Sequence, residues 1–123
     1  MNEWKKCITA GNRDFSEHDF DAARLSYEQA KQHAENLLCQ WSDPDEAASA
    51  LVVSYHNLAD LHQLQGDFSA AREALKNVHK IVLNALEESV IDSKRYASLL
   101  RASVKTYSAL SMHRKCFLCR AYH

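Results

Sequence analysis

Glycine and proline are nearly missing from this chain of 123 residues, which has two glycines, Gly11 and Gly66, and one proline, Pro44. Tight turns draw on residues with permissive or preset backbone angles, so this scarcity excludes a many-stranded sandwich or barrel. The two glycines sit far apart, which also excludes the clustered glycines of a phosphate-cradling loop. No apolar run approaches the ~18–20 residues that span a bilayer. The opening stretch, MNEWKKCITAGNRDF, lacks the apolar core of a secretory signal. The chain therefore reads as cytoplasmic and without membrane contact, with Cys7, Cys39, Cys116 and Cys119 as reduced thiols.

Acidic residues are absent after Asp92. All 16 Asp and Glu lie within residues 1–92, beside 8 of the 15 Lys and Arg, while residues 93–123 carry the other 7. An acidic body is thus followed by a basic tail, although the formal net charge is only −1. Such a chain can fold back on itself, pack head to tail, or offer a basic surface to an anionic partner.

What is abundant is helix former: Ala, Leu, Glu, Lys, Gln and Arg dominate, and 46% of residues are apolar. The length suits one domain with a core of its own. Apolar residues recur at three- and four-residue steps through five segments. Asn2 is a candidate cap for the first, whose face carries Trp4, Cys7, Ile8, Gly11 and Phe15. The second runs from about Asp19 to Trp41 with Phe20, Ala23, Tyr27, Ala30 and Ala34 on one face. Asp43-Pro44-Asp45-Glu46 then supplies a cap, a first-turn proline and a capping-box acid. The third helix extends to about Gln65 and Gly66 ends it. The fourth spans about Phe68 to Glu88. The fifth runs from Asp92 or Ser93 to near Lys115, with Tyr96, Leu99, Leu100, Ser103, Tyr107 and Leu110 as its apolar stripe.

The second and fourth helices begin alike. His18-Asp19-Phe20-Asp21-Ala22-Ala23-Arg24 aligns with Gly66-Asp67-Phe68-Ser69-Ala70-Ala71-Arg72 at a shift of 48 residues. Gly11 aligns with Ala59 and Cys7 with Tyr55. A duplicated helix hairpin usually means stacked units.

With a large residue, a small one at the helix crossing, a Gly-Asp-Phe turn, then Ala and a bulky residue, each unit resembles a tetratricopeptide repeat. Tyr55, Leu58, Ala59, Gly66-Asp67-Phe68, Ala71 and Leu75 carry the likeness in the second unit. Gly11-Asn12, Phe15, Phe20, Ala23, Tyr27 and Ala30 carry it in the first. The shift exceeds the usual period of about 34 residues, so long-helix variants are the nearer comparison, and His18 stands where the signature has Gly. The resemblance implies one all-α domain, a right-handed stack of two helix hairpins (about 3–41 and 44–88) with a capping helix and tail (about 92–123).

It also implies a non-catalytic adaptor that holds a partner's peptide or helix in a groove lined by the first helix of each unit. Carried over by alignment, the groove residues are Lys5, Ile8, Asn12, Phe15 and Ser16, then Val53, His56, Asn57, Asp60, Gln63 and Leu64. Arg101, Val104 and Tyr107 follow from the fifth helix. In one subfamily such positions clamp a terminal carboxylate. Asn12, Asn57 and Arg101 match three clamp places, while Ile8 stands where a lysine is expected. No cofactor is implied.

The tail offers a second reading. His113, Cys116, Cys119 and His123 have the chemistry of a zinc site, but all four crowd into one short, helical stretch. They more simply extend the helix, and metal is not favoured. A self-associating or zinc-holding module is therefore the alternative, with a homodimer compatible with so short a repeat array. His56 and Asp60, four residues apart, share a face but have no nucleophile motif beside them, which argues against an enzyme. Lys94, Arg101 and Lys105 form a basic stripe, yet the acidic body disfavours nucleic acid.

Overall fold

The computed structural model describes the backbone of residues 1–121 and the side chains of residues 1–113. Five helices account for it: α1 (Asn2–Ser16), α2 (Phe20–Gln40), α3 (Pro44–Leu64), α4 (Phe68–Glu87) and α5 (Lys94–Ala121). No strand occurs among the described residues, and no helix there is long and apolar enough to cross a membrane. The fifth helix runs beyond the expected stop near Lys115.

Asp19, Asp43 and Asp67 cap α2, α3 and α4, each accepting a first-turn amide that would otherwise lack a partner. Two cap expectations are corrected. Met1 holds the cap position of α1 with no side-chain bond, and Asn2 lies inside the helix. Glu46 does not close a capping box, because its Oε2 accepts the Trp41 indole N–H at 2.8 Å.

Each helix packs on the next in sequence. Besides these pairs, α3 touches both α1 and α5, whereas among the described residues α1 and α5 make no contact. Helices α1, α3 and α5 therefore lie in that order, with α3 central, and the ends of the array do not close on each other. The core divides accordingly. One cluster joins Ile8 of α1, Ala23, Tyr27 and Ala30 of α2, and Leu58 and Leu61 of α3. The larger joins Ala34, Leu51, Tyr55, Val78 and Val82 with Leu99 and Ala102 of α5. Helices α2 and α3 contribute buried residues to both, whereas those of α1 fall in the first and those of α4 and α5 in the second.

The duplication reaches the backbone hydrogen bonds. Glu17, His18 and Asp19 donate to Arg13, Phe15 and Asp14; Gln65, Gly66 and Asp67 donate to Leu61, Gln63 and His62, the same pattern 48 residues on. Ala23 and Ala71 are both fully buried, as a close crossing requires. Both turns need a left-handed residue: Gly66 has φ 82° and His18 has φ 63°. Glycine adopts this region without steric cost, while a Cβ is penalised by ~1–2 kcal/mol. His18→Gly should therefore stabilise the protein by about 0.5–1 kcal/mol and Gly66→Ala should do the reverse, read as opposite shifts of the urea midpoint at constant slope.

The register of α5 differs from expectation. Ser98, Leu99, Ala102 and Thr106 are buried, while Leu100 and Tyr107, assigned to the inward stripe, are exposed. The neighbours select a narrower stripe, because α5 meets α3 and α4 on one side only.

Candidate functional site

The seam between α1 and α3 assembles several of the residues read from sequence. Tyr27 of α2 is buried and donates its hydroxyl to Asn12 Oδ1 at 2.8 Å. Asn57 Nδ2 donates to the same oxygen at 3.4 Å. With Asn12 thus oriented, Asn57 offers its nitrogen, and its own oxygen accepts no hydrogen bond among the described residues. Phe15 and Asp60 join these three around a hollow of about 160 Å³. Burial, with Asp60 and Asp14 nearby, pushes the Tyr27 phenol up.

Asp60 borders two further hollows. One of about 480 Å³ opens toward Phe15, Gln63 and Leu64. The other, about 310 Å³, lies between α3 and α5 and is walled by His56, Gln63, Leu75, Ala109 and Met112. Asp60 makes no hydrogen bond or ion pair among the described residues. Partial burial raises its carboxyl above the usual range, opposed by His56. Burial lowers the His56 imidazole, against the pull of Asp60, and its Nε2 has no hydrogen-bond partner among the described residues. His56 and Asp60 are thus electrostatic neighbours, as their spacing suggested, and no Ser, Thr or Cys lines their shared hollow among the described residues.

The seam between α3 and α5 is tied differently. Asp45 accepts from Ser98 Oγ at 2.5 Å and from Arg101 at 2.6 Å. These bonds, Ser98 foremost, hold the Asp45 carboxyl below its ordinary range. Val53, Ser49 and Lys105 complete a hollow beside this pair.

Arg101 therefore does not join Asn12 and Asn57. Its partner Asp45 precedes Asn57 by twelve residues of α3, which is roughly 18 Å of helix. The three proposed carboxylate-clamp residues sit in two separate seams. Ile8 is buried among Ala23, Tyr27 and Leu61 and offers no surface to a partner. Lys5, Val53, Leu64 and Val104 are exposed. Tyr107 is exposed too, but its ring lies 6.0 Å from that of His79, on the α4 flank of α5. Trp4 is partly buried and bonds Ser54 Oγ at 2.7 Å, pinning α1 to α3. His113 is buried. Cys116, Cys119 and His123 lie outside the residues whose side chains are described, so the zinc reading of the tail falls there too.

Two site residues escaped the sequence reading. Tyr27 was placed only as core, and Asp45 only as part of a helix start. Neither role has a local signal, since each depends on a partner helix.

No curated protein and no solved structure matches the chain significantly. A family model described as a protein of unknown function, DUF2753, matches residues 2–117. That match spans nearly the whole chain, and the protein belongs to this family.

Proposed function

We propose that the protein is a tetratricopeptide-like adaptor that binds a partner peptide or helix across the face formed by α1, α3 and α5. The observation that carries this reading is the set of hollows along the two seams of α3, where polar and apolar groups stand exposed side by side. The duplicated turn, matched bond for bond, supports the kinship with stacked helical hairpins. Affinity comes from burying Phe15, Val53 and Leu64, and orientation from the amide and carboxylate groups between them.

The test is a paired comparison on two faces. Val53 and Leu64 are exposed on α3, and Leu25 is exposed on α2. Val53→Asp with Leu64→Asp should cut partner capture by at least about tenfold, since two apolar anchors are replaced by charges that resist burial. Leu25→Asp should leave capture intact. Both should keep the wild-type circular dichroism. Equal recovery of the same partners by the doubly substituted protein would reject the face.

A second reading, self-association, is favoured by one feature. Leu100, Val104 and Tyr107 recur at four- and three-residue steps on α5 and are 47%, 63% and 64% exposed. Light scattering of the purified chain distinguishes a stable dimer through this stripe from a monomer.

A further inference from the structure

The α3 face around Asp60 has an uncompensated negative charge. Asp60 has no cation within ion-pair distance among the described residues. His56 acts on it electrostatically, and burial lowers the pKa of that imidazole. Asp60 is exposed, so its carboxylate is open to a cation from outside the chain. Amide acceptors flank it along α3, while His56 and His113 line the hollow toward α5. Asn57, Asp60 and Gln63 recur at steps of three on one face of α3. The Asn57 nitrogen is engaged by Asn12, so its oxygen remains to accept. Gln63 makes no side-chain hydrogen bond among the described residues and walls the same two hollows as Asp60.

We infer that the hollows around Asp60 receive the ammonium or guanidinium group of a lysine or arginine on the partner. This rests on the proposed binding face and deepens it by giving the partner's chemistry. An ammonium has three donors and no acceptor; Asp60 brings a full charge and Gln63 an acceptor to the same two hollows, while Asn57 borders a third, smaller one with Asp60. The aliphatic stem of such a side chain needs apolar cover, and Leu75 of α4 with Ala109 and Met112 of α5 lines one of the hollows. An inorganic divalent cation fits less well, because no group of three or more His, Cys, Asp or Glu able to hold a metal occurs among the described residues. An anionic partner terminus is disfavoured by the same carboxylate, and Arg101, the cation that would have received it, is engaged by Asp45.

The experiment uses the full chain labelled with nitrogen-15 and three capped tripeptides: leucine–lysine–leucine and its norleucine and glutamate analogues. Amide shifts of Asn57, Asp60 and Gln63 report binding. The lysine peptide should bind at least about tenfold more tightly than the norleucine peptide, the worth of one charge-assisted hydrogen bond, and the glutamate peptide should bind most weakly. In Asp60→Asn the lysine preference should disappear while the melting temperature holds or rises by a few degrees at most. A residue that merely stabilised the fold would lower it.

Equal binding of the lysine and norleucine peptides, or an undiminished lysine preference in Asp60→Asn, overturns the inference. If capture still fails in Val53→Asp with Leu64→Asp, the binding face survives that result and only its cationic ligand is lost. Absence of shifts with any tripeptide overturns the inference as well, and intact capture by the same double variant then removes the face with it.

Discussion

Leu51→Ala should lower the unfolding free energy by about 3–4 kcal/mol, the middle of the range for leucine truncation in a close-packed core. Leu51 is fully buried and belongs to the larger cluster, which draws Ala34 and Leu38 from α2, Val78 and Val82 from α4, and Leu99 from α5. Alanine neighbours are numerous there, including Ala48, Ala50 and Ala74. Small side chains on rigid helices cannot swing in to fill the space, so the cavity persists and its cost adds to the lost transfer energy. Against a typical total of roughly 5–15 kcal/mol, such a loss is a large fraction of stability. The check is urea unfolding followed by circular dichroism, with a lower midpoint at an unchanged slope. A shift worth under about 1 kcal/mol would mean that the cluster is loosely packed around Leu51.

Much of this architecture is written locally in the chain. The caps Asp19, Asp43 and Asp67 precede helical periodicity and act on amides two or three residues away, so neighbouring residues suffice to find them. The duplicated turn is legible for the same reason, including the left-handed position that His18 fills in place of glycine. Helix faces are less legible. Ile8 and Val53 are both apolar on amphipathic helices, yet one is buried and the other exposed. Periodicity gives a stripe, but which edge of the stripe meets a neighbour depends on how the neighbour crosses. The same limit rotated the apolar stripe of α5. The site suffers most, because its ties are long-range: Asp45 meets Arg101 across 56 residues, and Asn12 meets Asn57 across 45. Asn12, Asn57 and Arg101 looked like one clamp only because alignment preserves the helix face and says little about position along the axis.

The clearest test of the duplication lies at Gly11. A Cβ placed there would stand 2.5 and 2.6 Å from two carbons of the Tyr27 ring. The ring has little freedom to yield, being 3% exposed and tethered at its hydroxyl to Asn12. Gly11→Ala should therefore cost about 2 kcal/mol, an overpacking penalty near 3 reduced by the ~1 that alanine gains over glycine in a helix. Forty-eight residues on, the equivalent pair is Ala59 and Leu75, both buried in one cluster. The second unit thus carries an alanine and a shorter aliphatic chain where the first carries no side chain and a ring. Importing that solution as Gly11→Ala with Tyr27→Leu should recover most of the loss, since the added methyl group then meets no ring. Recovery should be incomplete, because the Tyr27 hydroxyl no longer orients Asn12, and the Asn12 and Asn57 side-chain amide resonances should move. A double variant no more stable than Gly11→Ala alone would show that the two units, alike in their turns, do not pack their hairpins alike.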